Sequence, residues 1–92
     1  MQEYDNNFFD TQDLIGALKR GCEVEFLYKE KKYSITHLED EKIIIGEFYN
    51  SDSEKIYADA SQVLEYEIGD KKLKDIISDM KVIDRSFWFL SK

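Results

Sequence analysis

Proline is absent from the 92 residues, so no rigid linker or proline-marked boundary divides the chain. One cysteine, Cys22, stands alone. No disulfide within the chain can form, which fits a reducing compartment. The four glycines are isolated and build no phosphate-cradling loop. With a single histidine, His37, and no second cysteine, the usual nitrogen and sulfur ligands for zinc are missing. The longest purely apolar runs, 43–45 and 87–90, are far too short to span a bilayer. No segment has the charged, apolar and small-residue order of a signal peptide. The expectation is a soluble, cytoplasmic protein with no cofactor and no membrane partner.

Bases are also scarce: 13 Lys and Arg against 20 Asp and Glu give a net charge of −7. Residues 39–70 hold half of the acids and only two bases, Lys42 and Lys55. A basic groove for direct nucleic-acid binding is hard to build from this inventory. Hydrophobic content is 42% and aromatic content 14%, enough for one packed core. The domain reading is a loose N-terminal arm, 1–10, followed by a single α+β domain, 11–92. Phe8 and Phe9 are placed to pin the end of the arm to that core.

The stretch 23–49 organises the rest. Glu23-Val24-Glu25-Phe26-Leu27-Tyr28 alternates, with Val24, Phe26 and Tyr28 on one face and both glutamates on the other. A second strand puts Tyr33, Ile35 and His37 on one face. A third, 43–49, is richest in apolar residues and is a candidate for the central strand. The connections 29–32 and 39–42 are wholly charged and short, which favours an antiparallel meander. Before the strands, Asp10 or Thr11 can cap a helix with Leu14, Ile15 and Leu18 on its apolar face and Gly21 closing it.

After them, residues 55–58 suit a short fourth strand. A short helix capped by Asp59 or Ser61 runs to about Tyr66, and a second is capped by Asp70 with Leu73, Ile76, Ile77 and Met80 on one face. Beyond Met80 either the helix continues, or the chain turns extended over 82–83 and 87–90; the β-branched Val82-Ile83 favours the extended form. The fold class expected is therefore α+β: an N-terminal helix, a three- to four-stranded antiparallel sheet and two C-terminal helical segments, with the helices on one sheet face.

Chemistry-bearing residues are few. His37 as a general base, with Glu23 or Glu25 orienting it, competes with the plainer reading of a strand histidine, which is favoured because no nucleophile or metal partner accompanies it. Cys22 beside Glu23 and Glu25 lacks the basic surroundings that activate a thiol. The run Glu39-Asp40-Glu41 lacks the spacing of a calcium loop. The sequence thus reads as non-enzymatic. Glu39, Asp40, Glu41, Glu47, Asp52 and Glu54, with Tyr49 and Tyr57 among them, are the candidate partner-binding residues. They would imitate nucleic-acid phosphates toward a protein partner with a basic surface, against the plainer reading of a solvated acidic surface. The aromatic run Phe87-Trp88-Phe89-Leu90 is either a homodimer contact or a tail folded over the core.

The order of Glu23-Val24-Glu25-Phe26-Leu27-Tyr28, Lys31-Lys32-Tyr33-Ser34-Ile35, Ile45-Gly46-Glu47-Phe48-Tyr49 and Asp70-Lys71-Lys72-Leu73-Lys74-Asp75-Ile76-Ile77 resembles a group of small, mostly uncharacterised acidic proteins of Gram-positive bacteria and their prophages. Glu30 stands where that group commonly has a turn glycine. The resemblance implies a phage or mobile-element setting. There the expected role is an anti-CRISPR-like inhibitor whose acidic surface blocks the nucleic-acid-binding face of a host defence nuclease. The alternatives are an immunity protein neutralising a cognate toxin nuclease, or a small ligand-binding domain using His37.

Overall fold

A computed structural model describes residues 7–39 and 42–87, with the backbone alone at Phe87. Helix α1, Thr11–Lys19, opens where Asp10 accepts the Asp13 backbone N–H at 2.9 Å, while Asp13 accepts that of Phe9 at 2.9 Å. The Asp10 carboxylate satisfies an amide that the first helical turn leaves unpaired, and Asp13 ties the residue before the cap to that turn. Gly21, at φ 90°, closes the helix, and its N–H donates to the Leu18 carbonyl. Leu14, Ile15, Ala17 and Leu18 are buried, the face that their spacing implies.

Three strands follow in a meander: β1, Cys22–Tyr28; β2, Lys31–His37; and β3, Ile43–Glu47. Lys29 and Glu30 alone make the first turn, and Lys31 and Lys32 belong to β2. Both turn residues have positive φ, 51° and 69°. That is the signature of a type I′ hairpin, whose twist matches the flanking strands. Glu30 thus holds a backbone conformation that glycine adopts at less cost.

A 3-10 turn, Ser51–Ser53, leads to the edge strand β4, Lys55–Tyr57. Tyr57 is its inward residue, packed against the core, while Ile56 is 58% exposed.

The C-terminal third departs from the sequence reading. Neither expected C-terminal helix forms; α1 is the single α-helix among the described residues. Ala60–Glu65 is a 3-10 segment, started by Asp59, which accepts both the backbone N–H and the hydroxyl of Ser61. Asp70 is not a helix cap. It shares a two-residue turn with Gly69, φ 66°, between the two-residue strands β5, Glu67–Ile68, and β6, Lys71–Lys72. A 3-10 turn, Leu73–Asp75, follows, with Asp75 accepting the Lys72 N–H at 3.1 Å.

The chain then extends into β7, Lys81–Phe87, which pairs with β1. The sheet therefore has five strands rather than three or four, in the order β4-β3-β2-β1-β7, and β2 rather than β3 is central. The reason is tertiary. Helix at 71–87 would have left one edge of β1 unpaired, whereas Val82-Ile83 suits a strand and β7 pairs along nearly all of β1. A β-bulge lies opposite Glu25 and Phe26.

One sheet face carries the core. Val24, Phe26, Tyr28, Tyr33, Ile35, Ile43 and Ile45 pack beneath α1 and the segments at 60–65 and 73–80. Phe26 stacks on Tyr33 with centroids 5.2 Å apart. Leu73, Ile76, Ile77 and Met80 are all buried, although no α-helix presents them. Phe8 is also buried, whereas Phe9 is 88% exposed. Asn7 accepts the Val82 N–H at 2.7 Å, and the Arg85 guanidinium lies 3.9 Å from the Phe8 ring centroid, so residues 7–8 are held against β7. Among the described residues no helix is long and apolar enough to cross a membrane.

Candidate functional site

Alternation that buries one face of each strand presents the other to solvent, and no element covers that second face among the described residues. The register sets out its side chains in rows across the strands. One row runs Asp84, Glu25, Ser34 and Gly46 from β7 through β1 and β2 to β3. It ends at Glu54, whose side chain lies where a β-carbon on Gly46 would be. A second row is Thr36, Ile44 and Ile56, with the Ser86–Glu23 pair beside it, one residue beyond the last β1–β2 pair. A third is Lys81, Leu27 and Lys32, with Phe48 just beyond β3.

With adjacent strands about 4.8 Å apart, the row from Asp84 to Glu54 spans roughly 19 Å. The open face thus mixes carboxylates with Leu27, Ile44, Ile56 and Phe48. Of its bases, Lys32 is committed locally: its ammonium is 3.8 Å from Glu25 and 4.4 Å from the Phe48 ring centroid.

The contiguous acidic segment of the sequence is spread over the fold. Glu39 lies in the β2–β3 connection at one end of the sheet; Asp40 and Glu41 lie outside the described residues. Glu47, Tyr49, Asp52 and Glu54 gather at the opposite end, around the β3–β4 connection. Tyr57 returns to the first end, paired with Ile43 and half-buried. Glu65 is held by the ammonium groups of Lys72 at 2.7 Å and Lys74 at 3.3 Å. Their hydrogen bonds push its carboxyl below the ordinary range. Asp59 is lowered too, chiefly by the Ser61 hydroxyl.

The structure therefore gathers four of the expected residues at one end of the sheet, but Glu47, opposite Tyr33, alternates with Ile43 and Ile45 onto the core side; the open face carries Glu54 together with Glu23, Glu25 and Asp84 from outside the segment. The sequence already placed Glu23 and Glu25 opposite the core face. Asp84 joins them only through the β1–β7 pairing, which no local pattern announces.

At the Glu47–Glu54 end lies an open groove of about 420 Å³, lined by Ser34, Phe48, Tyr49 and Asn50 together with the two glutamates. Tyr49 is fully exposed at φ 62°, and its ring meets that of Phe48 edge-on, with centroids 5.9 Å apart and planes at 75°. The Ser53 hydroxyl braces the turn, accepting the Glu47 N–H at 2.8 Å and donating to the Asn50 carbonyl at 2.6 Å. Beneath it the Tyr66 hydroxyl donates to the Ser53 carbonyl at 2.8 Å. Burial raises the Tyr66 phenol above its ordinary value, so that donor stays protonated at neutral pH.

His37 is held through both its ring and its backbone. Its Nε2 lies 2.9 Å from the Cys22 carbonyl, which only a protonated Nε2 can satisfy, and the Glu23 carboxylate accepts the His37 backbone N–H at 3.2 Å. Cys22 is buried, and desolvation pushes its thiol up, away from the reactive thiolate. Among the described residues no three His, Cys, Asp or Glu side chains are gathered as metal ligands. Of the aromatic run 87–90, only the Phe87 backbone is described, in β7; Trp88 and Phe89 lie outside the described residues.

Comparison with protein-family models, with curated proteins and with solved structures finds no match.

Proposed function

We propose that the chain is a non-enzymatic binding protein that docks the open face of its sheet on the basic surface of a partner protein. In the setting that the resemblance implies, the partner is a nucleic-acid-guided or nucleic-acid-cleaving defence nuclease of the CRISPR-effector kind, and docking blocks its nucleic-acid-binding face. One observation carries the reading: Glu25, Asp84 and Glu54, from three separated stretches of sequence, share one row of a sheet face that no element covers among the described residues. Carboxylates so placed steer a cationic surface into register, and Leu27, Ile44 and Ile56 in the rows on either side supply apolar area to bury.

The test is inhibition of purified CRISPR effector nucleases by the full chain, with guide and target nucleic acid added before or after it. The reading expects inhibition of at least one effector, and loss of inhibition when nucleic acid is bound first. Inhibition indifferent to the order of addition, or its absence across effectors of every type, would refute the reading.

A further inference from the structure

The five-stranded sheet ends in two edges, β4 and β7. The unpaired amides and carbonyls of an edge strand are a template for another chain. On β4 that template is only three residues long, and the N–H groups flanking it are already used: Glu54 donates to the Ser51 carbonyl and Ala58 to the Gln62 side chain. β7 is seven residues long, and among the described residues no strand lies outside it.

Residues 7 and 8 meet this longer edge at its backbone. Val82 is paired with Phe26 of β1, yet its N–H donates to the Asn7 side-chain carbonyl at 2.7 Å, so that amide points away from β1. It is a group that an added strand would use. Ile83, next along, is skipped by the β1 register, and such a bulge also interrupts an edge. The Arg85 guanidinium donates to the Asn7 carbonyl at 3.2 Å and lies over the Phe8 ring, which is itself buried. Burial of Phe8 accounts for the anchoring of the arm. It does not account for an exposed Asn7 side chain turned onto an edge amide.

We propose that Asn7 and Phe8 form a strap that keeps the β7 edge from pairing with the β7 edge of a second copy of this chain. The second copy is the occupant because it carries the same long edge, and two such edges meet antiparallel about a two-fold axis. Release of the strap joins two sheets into one. The proposal goes beyond the docking reading and does not depend on it.

The test compares the full chain with two variants. Asn7→Ala removes the amide cap at an exposed position. Asn7→Ala with Phe8→Leu also removes the ring beneath Arg85 while keeping an apolar side chain in the core. In dilute Asn7→Ala, hydrogen exchange followed by NMR should be about tenfold faster at Val82 than in wild type. Light scattering should show dimers of both variants at concentrations where wild type is monomeric, more so for the double variant, with Val82 regaining protection as the dimer forms. Exchange at Val82 indifferent to Asn7→Ala, a folded Asn7→Ala no more dimeric than wild type, or dimers in which Val82 stays unprotected would each overturn the proposal. The single variant decides alone where circular dichroism shows the double one unfolded.

Discussion

Replacing Lys29-Glu30 by Asn-Gly should stabilise the fold, and the hairpin geometry sets the size. Both residues sit at positive φ, 51° and 69°. A side chain in the left-handed region costs roughly 1–2 kcal/mol per residue, a cost that glycine escapes and asparagine largely escapes. Two losses oppose the gain. Glycine gives the unfolded chain extra freedom, about 0.5–1 kcal/mol. The Lys29 ammonium, 5.5 Å from the Tyr28 ring centroid at an exposed site, contributes about 0.5 kcal/mol more. The net expectation is about 1 kcal/mol in favour of the double variant, or about 4–8 °C in melting temperature for a domain of this size. Urea denaturation followed by circular dichroism gives the check: the midpoint should rise while the slope m stays constant. A midpoint that falls, or a slope that changes, would refute the two-residue turn and return the connection to the four-residue loop that the charges suggest.

Other outcomes follow from the same packing. Gly46→Val should cost about 1–3 kcal/mol, because a β-carbon there would lie 3.1 Å from the Glu54 backbone; an unchanged urea midpoint would contradict that approach. Phe26→Ala removes a fully buried ring stacked on Tyr33 and should cost about 3–5 kcal/mol, enough to unfold much of the protein at 37 °C by circular dichroism. The Asp59 carboxyl is depressed below 3.8 by Ser61, so its ionised form favours the folded state. That contribution is present above the unfolded value and is lost as pH falls through the lower folded one. The advantage of wild type over Asp59→Ala, measured by thermal melts, should therefore be full above about pH 5 and narrow on acidification; an advantage that grows toward low pH would contradict the assignment.

Much of the fold was legible because local and tertiary preferences agree. The Asp10 cap, the Gly21 stop and the buried faces of β1 and β2 all follow from period and turn chemistry. The spacing of Leu73, Ile76, Ile77 and Met80 predicts one apolar face on a helix; all four are buried, but no α-helix forms there. Over so few residues a three-to-four spacing fits successive tight turns as well as an α-helix. What decided the conformation was the open edge of β1, a demand made some 55 residues earlier in the chain. The candidate face was half legible for the same reason. Glu23 and Glu25 were visible as the polar side of a strand, but a run of acids in sequence drew attention to 39–70, and strand direction then sent Glu39 and Glu47 to opposite ends of β3. Tyr49 could be noticed as an aromatic among acids, while its left-handed backbone could not.

The measurement that bears most directly on the proposed docking face compares two charge-reversed variants of this chain for binding to a nuclease that the proposed inhibition assay identifies. Glu25→Lys, Glu54→Lys and Asp84→Lys together reverse one row of the open face. Glu39→Lys with Asp52→Lys reverses acids placed at its two ends. The account predicts that the first variant, folded by circular dichroism, loses binding by at least 100-fold and loses most of its salt dependence, while the second changes affinity by less than tenfold. Equal losses in both variants, or full binding by the first, would contradict it.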